Sequence, residues 1–282
     1  MSNIENREYY IEEPELPKLF LQSWNAIDQE HKGCLLITHG ISEHSDCYDH
    51  VARALAEKGW FVFAWDLQGH GKSQGKRGYI KDFTQFSKDL TSVVNKIKED
   101  ETIPSQNFHL FGHSMGGLIT LQCMISDYAP RVQSVICSSP CLGIAVEVPK
   151  IKELASQWLN QFWPTLTLEN EVQHHKLSRD PEKVKSYSKD PLRHTKISAP
   201  LYIGMTQAIE SVNSNADQLK TPLFMQVSGQ DKIVDPQASL NFYKKVEGQK
   251  QLKLYEDSFH EVYNDINWQE GIDDLLEYLG QS

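Results

Sequence analysis

The stretch Phe108–Asp127 constrains this chain more than any other. An apolar run, Phe108-His109-Leu110-Phe111, leads straight into Gly112-His113-Ser114-Met115-Gly116, and helical spacing begins at Gly117. A strand that turns into a helix this abruptly must force the residue at the corner, Ser114, into a strained backbone conformation. Only small neighbours leave room for such a turn. The helix N-terminus then lies beneath the serine hydroxyl and favours negative charge developing there. The bland alternative is a glycine-rich turn with an idle serine.

The same grammar of short apolar run and helical segment continues on both sides. Phe20–Trp24, Cys34–Thr38, Phe61–Asp66, Val132–Ser138, Leu223–Ser228 and Leu252–Tyr255 read as strands. Val51–Lys58, Phe83–Ile97, Gly117–Asp127, Pro236–Lys245 and Trp268–Leu279 read as helices by their apolar spacing. Strands apolar throughout, alternating with helices, predict an α/β fold with a mostly parallel central sheet covered on both faces. The alternation stops between Gly143 and about Ala199. That segment carries nine Lys/Arg against seven Asp/Glu in a chain of net charge −10. It reads as a helical cap, 143–199, inserted after the sixth strand between two core parts, 1–142 and 200–282. Its place is over the carboxyl edge of the sheet, where open α/β sheets bind ligands. Ile151, Leu154, Ala155, Trp158, Leu159, Phe162 and Trp163 give one cap helix a wide apolar stripe. The stripe either packs down as the wall of an acyl tunnel or faces outward toward a membrane surface.

A serine hydroxyl needs a base, and the base needs an orienting carboxylate. Asp231 directly follows the strand ending at Ser228, and His260, the sole histidine beyond residue 231, follows the last strand. That is the chain order Ser, acid, His expected of this turn type. Asp235 is the reserve acid, but beside Pro236 it is better suited to capping the next helix. An oxyanion hole should use the backbone N–H of Met115 and that of Ile41, in the loop Thr38-His39-Gly40-Ile41 after an early strand. His113 sits on the sharp turn and is expected to point away from the nucleophile, packing or making a backbone hydrogen bond. His39, His44 and His70 belong to loops, and His174, His175 and His194 to the cap. Gly69-His70-Gly71-Lys72-Ser73 is half of a phosphate-binding loop, but Asp66 stands where its first glycine would be, so a structural role is expected. No histidine spacing such as HExxH occurs, so neither a metal nor another cofactor is expected.

Charge and cysteine usage narrow the partners. An acidic chain with no basic block is a poor fit for nucleic acid. Five scattered cysteines without a CxxC pair read as reduced thiols in a reducing compartment. The N-terminal residues lack a signal-peptide pattern, and the apolar run Trp60–Trp65 is far too short to span a membrane. The expectation is a cytoplasmic protein, peripheral at most, with its oligomeric state left open.

HGISEHSDCY (His39–Tyr48), DLQGHGKSQGKRG (Asp66–Gly78), GHSMGG (Gly112–Gly117), LSRDPEKVKSYSKDPL (Leu177–Leu192) and SGQDKIVD (Ser228–Asp235) together resemble the monoacylglycerol lipase and lysophospholipase family of α/β-hydrolases. The resemblance implies an α/β-hydrolase fold and hydrolysis of carboxylic esters of glycerol by Ser114, Asp231 and His260. It also implies that Glu43 and Tyr187 lie near the alcohol end of the substrate. Members often carry Arg where Cys47 stands and a second His where Tyr263 stands, positions that help hold glycerol in the family. A broader esterase acting on lysophospholipids, short esters or thioesters stays open, as does a hydrolase-fold receptor with little turnover. A dehalogenase would carry Asp at position 114, and no amine-binding acidic cluster of a peptidase is recognisable in the cap.

Overall fold

Eight strands make the central sheet of the computed structural model, which describes residues 3–12, 17–100, 102–104, 106–145, 150–170 and 172–281, and for 150–154 the backbone alone. The first half of the chain contributes β1 (Ile4–Ile11), β2 (Leu19–Ala26), β3 (Gly33–Thr38), α1 (Asp49–Ala56) and β4 (Trp60–Trp65). It continues with α2 (Thr84–Lys98), β5 (Phe108–His113), α3 (Met115–Ile125) and β6 (Ser134–Ser138). An insertion follows: α4 (Lys150–Phe162), β7 (Thr167–Glu169), α5 (Pro181–Tyr187) and β8 (Lys196–Ser198). The chain closes with α6 (Ala199–Ser214), β9 (Leu223–Ser228), α7 (Pro236–Lys245), β10 (Lys250–Tyr255) and α8 (Trp268–Gln281).

The strand order is β1-β2-β4-β3-β5-β6-β9-β10, parallel from β4 to β10, with β1 and β2 added antiparallel at one edge. This is the mostly parallel α/β-hydrolase sheet that the sequence predicts, and the expected elements are displaced by no more than two residues at either end. The inner strands are buried on both faces because neighbouring residues feed opposite layers. Leu36 and Leu110 pack with Phe86 and Leu90 of α2 and Leu118 of α3. Leu35 and Ile37 pack on the other side with Val51 and Leu55 of α1 and Leu275 of α8. Truncating a fully buried residue such as Leu36 to Ala would cost about 2–5 kcal/mol.

Four elements lie outside the sequence reading: β1, α6, and the strands β7 and β8 inside a segment expected to be helical. β1 buries only Ile11 and half-buries Ile4 and Glu5, with the five residues between exposed, so its sequence gives no core signal. α6 buries Leu201, Met205, Ala208 and Val212, a helical spacing, yet it sits beside the expected cap boundary. Within the insertion, β7 pairs antiparallel with β8 and ties its middle to its end. Of the apolar stripe on α4, Trp158, Phe162 and Trp163 are 58%, 62% and 59% exposed. Leu159 is half-buried and Ala155 exposed, while the side chains of Ile151 and Leu154 lie outside the described residues.

The topology places the site. From β3 the chain crosses to β4 on one side, then to β5 on the other, so the loops leaving β3 and β5 diverge at the carboxyl edge. That divergence opens the crevice in which doubly wound sheets bind ligands.

Candidate active site

Ser114 occupies the corner between β5 and α3 with φ 52° and ψ −119°. A non-glycine residue there stores about 1–3 kcal/mol of strain, which the surroundings must hold in place. Its N–H donates to Ser138 O at 3.0 Å, and its carbonyl accepts from Cys141 N–H at 2.9 Å. The neighbours must be glycine for a steric reason. A Cβ on Gly116 would stand 2.2 Å from the Thr38 carbonyl oxygen, and one on Gly112 would stand 2.5 Å from that of Gly116.

Three side chains from three strand ends converge at this corner. His260 Nε2 lies 2.9 Å from Ser114 Oγ, and His260 Nδ1 lies 2.7 Å from Asp231 Oδ2. Asp231 Oδ1 accepts the N–H groups of Ile233 (2.8 Å) and Val234 (3.0 Å), which fixes the carboxylate on its turn. Burial opposes protonation of His260, but the Asp231 charge and hydrogen bond, with Glu261 and Glu43 further off, outweigh it and raise the imidazole above its ordinary value. Asp235 instead accepts Gln237 N–H at 2.9 Å and caps α7.

Ile41 and Met115 both lie beside Ser114. Ile41 lines the cavity above it, and Met115 opens α3, so its N–H belongs to the first turn that a helix leaves without an internal partner. Gly40 N–H donates to Glu43 Oε2 at 2.8 Å, so Glu43 folds the loop that carries Ile41. His39 ties the same loop to the next by accepting Leu67 N–H at Nε2 (3.0 Å), and burial depresses it to about 4. His113 makes the expected backbone hydrogen bond but does not turn away from the site. It bonds the Ser138 carbonyl at 3.1 Å, and its ring, tilted by 50°, lies 4.8 Å from that of His260 and lines the cavity. Asp66 holds its loop by accepting Ser45 N–H (2.7 Å) and Lys72 N–H (2.6 Å), in keeping with a scaffold.

The cavity over Ser114 measures about 310 Å³; Ile41, Val172, Leu177 and Ile233 line it among many polar residues, whose carbon atoms make much of the wall apolar. Glu43 and Tyr187 both reach it, joined by two residues that the sequence reading did not single out. Arg193, buried, lies 3.3 Å from Glu43 Oε1 and 3.7 Å from Glu261 Oε1, with its guanidinium 4.1 Å over the Tyr187 ring. Tyr187 donates its hydroxyl to Glu261 Oε2 at 2.6 Å, and Asn264 Nδ2 donates there at 2.8 Å. Burial raises the Glu261 carboxyl, yet Arg193 and these hydrogen bonds overcome it and hold the group below its ordinary value. The signal for Glu261 was its place next to His260; Arg193 is 150 residues from Glu43 and left none.

Further pairs bind the insertion to the sheet. Arg179 Nε donates to Asp265 Oδ2 at 2.8 Å, and that same oxygen accepts Phe259 N–H at 2.8 Å, one residue before His260. Asp190 Oδ2 lies 2.7 Å from His44 Nε2, and Asn170 Nδ2 donates to Ser42 Oγ at 2.7 Å.

Comparison with known proteins agrees with this geometry. Residues 29–267 match the hydrolase family described as serine aminopeptidase, S33. The chain belongs to this family. It is similar to a monoacylglycerol lipase of Mycolicibacterium smegmatis, 28% identical over 89% of each chain. An uncharacterized abhydrolase domain-containing protein of Dictyostelium discoideum is 33% identical over 86% of this chain, which spans only 25% of that protein. The crystal structure of Paleococcus ferrophilus monoacylglycerol lipase superposes with a TM-score of 0.83 at 28% identity, covering 93% of this chain and 98% of that one.

Proposed function

We propose that this chain is a serine hydrolase that cleaves the carboxylic ester of monoacylglycerols to a fatty acid and glycerol. The observation that carries the reading is the hydrogen-bonded line Ser114–His260–Asp231 opening into a cavity that combines apolar walls with a cluster of polar groups. In this reading Ser114 Oγ attacks the ester carbonyl while His260 Nε2 takes its proton. The N–H groups of Ile41 and Met115 receive the negative charge on the carbonyl oxygen. His260 then gives the proton to the departing glycerol oxygen, leaving an acyl group on Ser114. Water, deprotonated by the same imidazole, releases the fatty acid and restores the serine.

The headgroup end suits a neutral polyol. Glu43, Glu261 and Arg193 present hydrogen-bonding groups, but both carboxylates are already held by the guanidinium and by Tyr48 or Tyr187. A substrate ammonium, as a peptide N-terminus would bring, finds no uncommitted carboxylate among these groups. A panel of monoglycerides, diglycerides, lysolipids and peptides tests the assignment. Monoglycerides should give the highest kcat/KM, and faster turnover of lysolipids or peptides would overturn it.

Residues 143–199 serve as the cap in this reading, with the chain at work in the cytoplasm; five free thiols, four of them buried, support a reducing compartment. No helix among the described residues is long and apolar enough to cross a membrane. The outward Trp158, Phe162 and Trp163 support shallow, reversible contact with a lipid surface, since burying one such side chain gives about 1.5–3 kcal/mol. Vesicle co-sedimentation should fall in Trp158→Asp while hydrolysis of a soluble short-chain ester holds. Unchanged sedimentation with poor hydrolysis would assign the stripe to the acyl tunnel.

A further inference from the structure

The geometry points to a second site, separate from the serine chemistry: a binding site for a thiophilic divalent cation, of which Zn2+ is the type, formed by His44, Cys47 and Asp190. His44 and Cys47 sit at either end of one tight 3-10 turn after β3, and Asp190 arrives from the insertion just beyond α5. One ligand atom from each lies within 4.8 Å of the other two. Asp190 Oδ2 already rests 2.7 Å from one imidazole nitrogen. The His44 imidazole, only 3% exposed, interacts with both Asp190 and the Cys47 thiol, so an entering cation would displace the proton that these groups share.

The donor set selects the ion. One thiolate, one imidazole and one carboxylate match the borderline-soft cations that take S, N and O at about 2.0–2.3 Å. Hard cations such as Mg2+ and Ca2+ take oxygen alone and would reject the sulfur. Three protein ligands leave a fourth tetrahedral position to water, and the partial exposure of Cys47 and Asp190 gives the ion a way in. The serine mechanism has no use for this ion. Because two ligands belong to the sheet and one to the insertion, a bound cation would staple the two together beside the cavity. Turnover, which requires substrate to pass beneath the insertion, would slow. The sequence does not expose the site, since Asp190 lies 146 residues from His44.

Co2+ added to the full-length chain reports the site directly. A single equivalent should bind with a thiolate charge-transfer band and tetrahedral ligand-field bands, and Zn2+ should displace it. Zn2+ should also inhibit ester hydrolysis and EDTA should restore it. Cys47 is the one cysteine that is not buried, so iodoacetamide on the native protein should label Cys47, and Zn2+ should protect it. Cys47→Ser should abolish the band and weaken Zn2+ by at least about tenfold, the loss expected when a site loses even an outer partner. Asp190→Asn supplies a second variant if the first does not fold. Co2+ binding without a thiolate band, Zn2+ affinity unchanged in both variants, or alkylation of Cys47 indifferent to Zn2+ would each overturn the site. Zn2+ bound at Cys47 with turnover unaltered would overturn the staple.

Discussion

The sheet edge and the insertion above it hold their polar groups by different means. Ser114, Asp231 and His260 hang from the carboxyl ends of β5, β9 and β10; β5 and β9 are buried on both faces, and β10 is the edge strand held along β9. Arg179, Asp190 and Arg193 are placed chiefly by charges on the opposite side of the gap: Asp265, His44, Glu43 and Glu261. Moving the first set means breaking the core. The second set can shift when a single charge is lost, so the insertion is the adjustable half of the site and the sheet edge the fixed half.

The sharpest break in that comparison removes the reacting groups while leaving both halves standing. Ser114→Ala should lower turnover about a millionfold and abolish labelling by a fluorophosphonate, which mass spectrometry would place on Ser114 in the wild type. Asp231→Asn keeps the turn but turns its partner's tautomer, and should cost about ten-thousandfold. Asp235→Ala should remove only a helix cap, about 1 kcal/mol of stability. If Asp235→Ala destroyed turnover and Asp231→Asn did not, the acid would be the wrong aspartate.

The next largest effect belongs to the adjustable half. Arg193→Met leaves the buried carboxylates Glu43 and Glu261 without their cation, a loss of about 3–5 kcal/mol. Denaturant unfolding should show it, together with a raised KM for monoglycerides. A soluble short ester that ignores the headgroup end should lose less. An equal loss for both substrates would mean that the charge pair serves the sheet edge as well.

Between the two halves lies the loop after β3. Ile41→Ala should be mild, because the role assigned to Ile41 is carried by its backbone. Ile41→Pro removes that N–H and should cost about 100-fold or more in kcat with KM little changed. Equal damage from Ala and Pro would make Ile41 a packing residue.

The same division explains what could be read from the sequence. Residues fixed by local chain geometry were legible: the small neighbours of Ser114, the strand end before Asp231, the lone late histidine His260. The inner strands were legible because residues such as Leu35 and Leu36 are apolar on both faces. β1 was not, since an edge strand with one buried residue has no apolar pattern to detect. Arg193 and Asp265 were not, because each acts through a partner far away in the chain, and spacing carries no record of such pairs. His113 shows the limit of turn geometry: the corner places its backbone, but its ring is held by the Ser138 carbonyl of β6, 25 residues away.

The smallest expected effect links the halves through one titration. His260 must be neutral to accept the Ser114 proton, and it sits above its ordinary value of about 6.5. At pH 6.5 more than half of the enzyme therefore carries the imidazolium and is idle, so kcat/KM on a soluble ester should reach half its plateau above that pH. Asp231 holds most of this shift, but Glu261 and Glu43 add to it through space. Glu261→Gln keeps the shape of the side chain and deletes one negative charge beside His260. The imidazolium is then stabilised less, and the acidic limb should move to lower pH, with the plateau changed far less than by Asp231→Asn. The Glu261 carboxyl is itself held ionised by Arg193, so the wild-type limb should be a single proton step rather than two. A limb that stays in place in Glu261→Gln would show that Arg193 already cancels the charge that His260 senses, and that the adjustable half is electrostatically silent toward the fixed one.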